Sequence, residues 1–175
     1  NENKVEVNKY KFHAQNYKAD NLFSEDFLDT NFYSEFVYLP LENPKTVAIG
    51  KLLFEDPQLS KNEKMSCVTC HEANKGFSDG LAKSKTNKEG VFTQRNSPSI
   101  INAGYSTRYF WDMREYNLEK QVAHVIDNDL EFNTSFQEIE QKLKRNPKYV
   151  KLFKEAYDGI NKNDINNRSI SNAIA

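Results

Sequence analysis

Apolar residues in this chain gather into a few short helical patterns, separated by long polar stretches. Asn43-Pro44 opens the first pattern, since proline is tolerated in the first turn of a helix. Val47, Leu52, Leu53 and Phe54 supply its apolar side, and Asp56-Pro57 ends it. Asn117 to Ile126 predicts a second helix, with Leu118, Val122 and Val125 on one side. Ser135-Phe136-Gln137-Glu138 reads as a capping box, with Phe136, Ile139 and Leu143 as the stripe behind it. Asn146-Pro147 opens a further helix carrying Val150, Phe153 and Tyr157, with Gly159 just past its end. Ile165 to Ala175 reads as the first turns of another. No segment shows the alternation or β-branched density of a strand. The expected fold class is all-α.

Between these patterns lie two long polar stretches. Residues 1–42 are Asn/Lys-rich, punctuated by aromatics and without sustained period, and read as an extension that wraps the domain or as a linker. Glu72 to Asn96 is rich in Gly, Lys, Ser and Asn, broken by Gly76, Gly80 and Gly90. A loop this long inside a compact domain is usually functional or mobile. At 175 residues the chain suits one domain with its own core. Its 24 basic and 25 acidic residues are interspersed, which gives no footing for nucleic acid or a polybasic membrane anchor. No apolar run approaches the ~20 residues that span a bilayer. The sequence begins at Asn rather than Met and carries no secretory signal, as a processed chain would.

The chemistry is announced by Cys67-Val68-Thr69-Cys70-His71. C-x-x-C-H is the attachment signature of a c-type haem. Two thiols one turn apart can each add to a vinyl group on one porphyrin edge, and the next residue supplies an axial imidazole to the iron. The alternative is half of a zinc site. That would need two more Cys or His ligands, and only His13 and His124 remain, both distant in sequence. Covalent haem attachment takes place outside the cytoplasm, so a periplasmic or exported location is expected.

Around this motif the sequence resembles the bacterial di-haem cytochrome c peroxidase family, which includes the MauG-type enzymes. Ile49-Gly50-Lys51-Leu52-Leu53-Phe54 with Asp56-Pro57 is similar to the family's lead-in helix, and Met65 to His71 to its first haem site. Lys75 to Gly80, Arg95-Asn96-Ser97-Pro98-Ser99, Tyr109-Phe110-Trp111-Asp112 with Arg114, and Leu118 to Gln121 follow in the family's order. The resemblance implies an N-terminal, peroxidatic haem domain over residues 43–162. Residues 163–175 would start a helix leading into a second haem domain absent from the chain.

The resemblance also implies roles. Cys67, Cys70 and His71 would hold haem c, with His71 the proximal iron ligand, and Arg95 would meet a haem propionate. Gln121, ten positions after Trp111, would line the distal pocket, and Glu131, ten further on, would be the distal acid-base group. Trp111 would relay electrons between two haems, with plain core packing as the alternative. Asn96 would be a ligand of an inter-haem calcium. Implied partners are hydrogen peroxide, a small cytochrome c or cupredoxin as electron donor, and the second haem domain; a homodimer is also allowed.

Four departures bear on these expectations. There is no second C-x-x-C-H, so the chain is expected to be part of a di-haem protein, with a mono-haem protein the alternative. Glu72 to Gln94 contains no histidine, where many relatives place one that caps the iron, so an open resting haem is expected. His124, three residues after Gln121, stands where a small residue is usual and could reach the iron, or could be an ordinary surface or core histidine. Met113 replaces the usual glycine after Trp-Asp. The leading reading is a peroxidase-type haem oxidoreductase. The alternatives are a mono-haem electron carrier and a MauG-like enzyme acting on another substrate.

Overall fold

Asn43 starts helix α1 (Pro44–Glu55) by accepting the Lys45 N–H at 2.9 Å, and proline occupies the first turn. The helix ends at Asp56, whose extended backbone leads into Pro57. This is the computed structural model of the chain, and it describes residues 18–21, 23–24, 27, 43–157 and 165–175. The wrapping segment expected over 1–42, with His13, and the Gly159 helix stop lie outside the described residues, those short early pieces apart.

The buried face of α1 is Thr46, Ile49, Gly50 and Leu53, the spacing of one helical stripe. Val47, expected on that side, stays 46% exposed. The cause is α5 (Asn167–Ile174), which crosses α1 so closely that a Cβ on Gly50 would overlap the Ala173 carbonyl oxygen and lie 3.1 Å from its carbon. Asn166 caps α5 by accepting the Arg168 and Ser169 N–H groups, while the Ser169 hydroxyl accepts the Asn166 N–H at 3.1 Å. This last helix packs against α1 and α2 (Leu118–Asp127), with Ile170 fully buried.

Helices α3 (Phe136–Arg145) and α4 (Pro147–Tyr157) close the core with Ile139, Leu143, Phe153 and Tyr157. Only half of the expected capping box forms at α3. Ser135 accepts the Glu138 N–H, but the Glu138 carboxylate takes the Thr134 hydroxyl at 2.6 Å instead of reaching back. On α4, Tyr149 rather than Val150 faces inward, because its hydroxyl donates to Asp56 Oδ2 at 2.6 Å across the α1 terminus. Tyr157 donates to Asn172 Oδ1 at 2.9 Å, tying α4 to α5.

The fold is all-α, and among the described residues there is no strand. Three isolated antiparallel bridges, Glu72–Ser78, Lys85–Phe92 and Tyr109–Glu115, pin the long loops between α1 and α2. Among the described residues no helix is long and apolar enough to cross a membrane.

Candidate active site

Ser66 begins a 3-10 turn over Cys67–Thr69, with the Thr69 hydroxyl accepting the Ser66 N–H at 3.0 Å. The Cys70 and His71 N–H groups both donate to the Cys67 carbonyl, at 3.2 and 2.9 Å. That winding sets both sulfurs on one tight turn with the imidazole immediately after it. Both thiols are free and pack against the core. Burial pushes the Cys67 thiol up to about 12 and the Cys70 thiol up to about 11. A zinc site would need two further Cys or His ligands, and among the described residues none gathers with these two. Thioether linkage needs two free, part-exposed thiols on one turn followed by an available imidazole, so the residues present fit covalent haem.

His71 is oriented from behind. Its Nδ1 lies 3.0 Å from the Phe77 carbonyl oxygen and 3.2 Å from Ser97 Oγ. A carbonyl only accepts, so Nδ1 carries the proton and Nε2 keeps the lone pair that a metal needs. Gly76 and Phe77 both take positive φ, 65° and 55°, in the reversal that leads from the haem motif back to that carbonyl. The Phe54 ring, from the last turn of α1, stands 6.2 Å from the imidazole. Ser97 is 8% exposed and its carbonyl accepts the Ser78 hydroxyl at 2.9 Å. Sequence reasoning assigned roles to Arg95 and Asn96 but passed over Ser97. Its place in the same five-residue motif was the available signal.

Glu131 sits on the tight turn that follows α2. The Asn128 carbonyl accepts the N–H groups of Glu131 and Asn133 at 3.0 and 2.9 Å. Burial pushes the Glu131 carboxyl above the ordinary value, against the lowering effect of a hydrogen bond with the Asn128 side chain. Its charge in turn helps to raise both Cys67 and Cys70, which places the carboxyl within electrostatic reach of the cysteine turn. Gln121 is half-buried in α2.

Asn87 is the anchor of this region that the sequence did not disclose. Its side-chain amide donates to the Asp129 and Glu131 carbonyls at 3.1 and 2.7 Å, and its N–H donates to the Leu130 carbonyl at 3.0 Å. The loop after the haem motif therefore grips the turn that presents Glu131. An asparagine in an Asn/Lys-rich loop gives no sequence signal of this.

The remaining sequence-predicted residues lie around the Trp111 turn. Trp111 is 69% exposed, so core packing within these helices is not its role. The Arg95 guanidinium carbon stacks 3.9 Å from the centre of its ring, bringing two predicted residues together. Asn96 is exposed, its side-chain amide donating to the Ser97 carbonyl at 3.4 Å. Among the described residues no group of three or more His, Cys, Asp or Glu gathers into a metal site. His124 is exposed, with Nε2 engaged 2.7 Å from Glu115 Oε1, which makes it a surface histidine and not a spare ligand for the iron. Met113 adopts φ 57°, a left-handed conformation, which explains why glycine suits that position.

Residues 44–175 match the family described as di-haem cytochrome c peroxidase. The chain is 38% identical over 126 residues to the methylamine utilization protein MauG of Methylorubrum extorquens, covering 70% of this chain and 35% of that protein. It is 37% identical over 111 residues to the cytochrome c551 peroxidase of Pseudomonas aeruginosa, covering 62% and 31%. A solved MauG-like protein associated with microbial copper homeostasis superposes with a TM-score of 0.71 at 28% identity, over 79% of this chain and 40% of that one. The diheme peroxidase BthA of Burkholderia thailandensis shares the fold at a TM-score of 0.65 and 23% identity, over 75% and 37%. The chain thus spans about a third of the length of the curated relatives it matches.

Proposed function

The chain belongs to the di-haem cytochrome c peroxidase family, and from that premise we propose that it reduces hydrogen peroxide to water in the periplasm at one covalently held haem. The observation that carries the proposal is the half-buried Glu131 carboxyl, held on the turn after α2 by Asn87 and raised above its ordinary value within electrostatic reach of the cysteine turn. Cys67 and Cys70 would hold the haem by thioethers and His71 Nε2 would ligate its iron, and the bound group supplies the redox equivalents that peroxide cleavage needs.

The overall change takes one peroxide, two protons and two electrons to two waters. The proton part falls to Glu131 in this reading. Its carboxylate accepts the proton from one peroxide oxygen and, as the acid, returns it to the oxygen that leaves. The raised value suits this exchange, because a group that gives and takes a proton works best near the operating pH. Gln121 donates an amide N–H to orient the peroxide or a water. Arg95 is assigned to a haem propionate, Asn96 to a calcium ligand between haem domains, and Trp111 to electron relay from the second haem domain. A small cytochrome c or cupredoxin is the external donor. The loop from Glu72 to Gln94, which contains no histidine, supports a haem ready for peroxide without prior reduction, and also supports a MauG-like oxidation of another substrate as the second reading.

Glu131→Gln tests the proposal directly. With an unchanged haem spectrum, peroxide turnover should fall by about 100- to 10,000-fold, the usual worth of a positioned acid-base group. Wild-type turnover in that variant would remove Glu131 from the reaction.

A further inference from the structure

His124 stands on the exposed side of α2, one turn beyond Gln121, and makes two contacts to the same short hairpin. Its Nε2 meets Glu115 Oε1 at 2.7 Å, and its ring stands edge-on to Phe110 at 5.2 Å between centroids. Glu115 and Phe110 flank the turn that carries Trp111. The Tyr109 N–H donates to the Glu115 carbonyl at 2.9 Å, and the Met113 N–H to the Phe110 carbonyl at 3.1 Å. Arg114 closes the other side, with its guanidinium 3.6 Å from the Phe110 ring centre and a two-pronged pair to Asp112 at 2.8 and 3.0 Å.

Trp111 itself is exposed, and its ring touches the Arg95 guanidinium. The position of the indole therefore depends on how its hairpin is held, and α2 holds it through His124. We propose that His124 is the positioning residue of Trp111: it clamps the Trp111 hairpin to the helix that carries Gln121, through Glu115 and Phe110. The clamp is a property of the hairpin and stands whether or not Trp111 relays electrons.

Trp111 is the only tryptophan of the chain, which makes it a built-in probe. In the haem-loaded 175-residue chain, energy transfer to the porphyrin shortens the indole fluorescence lifetime steeply with proximity, so the decay reports the Trp–haem separation. The wild type should give one dominant lifetime. His124→Ala should add a second, slower component. Loss of an exposed pair and an edge-to-face contact together shifts the hairpin equilibrium by about tenfold. His124→Gln, which keeps a donor for Glu115, should restore part of the single decay. Glu115→Ala should reproduce the slow component from the other side, and the double variant should be no worse than either single. Superimposable decays for wild type, His124→Ala and Glu115→Ala would overturn the clamp. Should His124→Ala fail to fold, the Glu115→Ala decay alone decides.

Discussion

Gly50→Ala puts two physical effects in opposition, and the structure says which wins. Gly50 lies in the middle of α1, where alanine is the better helix former by about 1 kcal/mol. A Cβ at this position would overlap the Ala173 carbonyl oxygen, a backbone atom of α5 that cannot swing aside as a flexible side chain would. The two helices must then separate by on the order of 1 Å, and overpacking of this kind costs about 1–3 kcal/mol. Separation also loosens fully buried Ile170 and strains the Tyr157–Asn172 hydrogen bond, adding about 1 kcal/mol. Set against the propensity gain, the net expectation is a loss of about 1–3 kcal/mol. Urea unfolding of the haem-loaded chain reads this as a fall in midpoint of about 0.5–1.5 M for a slope near 2 kcal/mol/M. Val47→Ala, on the half-exposed face of the same helix, is the control and should move stability by less than about 0.5 kcal/mol. A Gly50→Ala chain as stable as the wild type, or more so, would show that propensity dominates and that glycine does not set the α1–α5 spacing.

Other outcomes follow from single contacts. Because burial raises Glu131, the unfolded chain gives up that proton first as pH climbs above the ordinary 4.5, so this residue's contribution to stability falls with rising pH through the window up to its raised value. Glu131→Gln should flatten that fall, seen as the urea midpoint measured against pH. Ser97→Ala removes an acceptor 3.2 Å from His71 Nδ1 and weakens the imidazole as a donor to iron, so a redox titration should find a more positive haem potential. Met113→Gly relieves a left-handed backbone at φ 57° and should raise stability by about 0.5–1 kcal/mol after glycine's own entropy cost, read as a higher urea midpoint.

The helices were legible because their signals are local. Asn43-Pro44, Asn117 and Ser135 sit where the structure places the caps of α1, α2 and α3. Which residues face inward was less legible. Val47 and Val150 are apolar but half-exposed, while Gly50 and Tyr149 are buried by a crossing helix and by a hydrogen bond to Asp56. Both depend on partners distant in sequence, which no period reveals. The C-x-x-C-H motif was readable as chemistry, whereas Gln121 and Glu131 were singled out only by the family resemblance. Ser97 and Asn87 were not, since each acts through bonds across 26 or more residues, to His71 and to the Glu131 turn. His124 showed the reverse case. Its residue type advertised a ligand, and its neighbours Glu115 and Phe110 gave it a mechanical task.

The guanidinium stacked on Trp111 reaches beyond shape. A cation 3.9 Å from the centre of an indole repels a positive hole on that ring. Arg95 therefore makes Trp111 harder to oxidise than a free tryptophan. That penalty rises or falls with the position of the Arg95 side chain, and drawing the guanidinium away from the ring lowers it. The stack ties the oxidation potential of this indole to where one arginine finds its counter-ion.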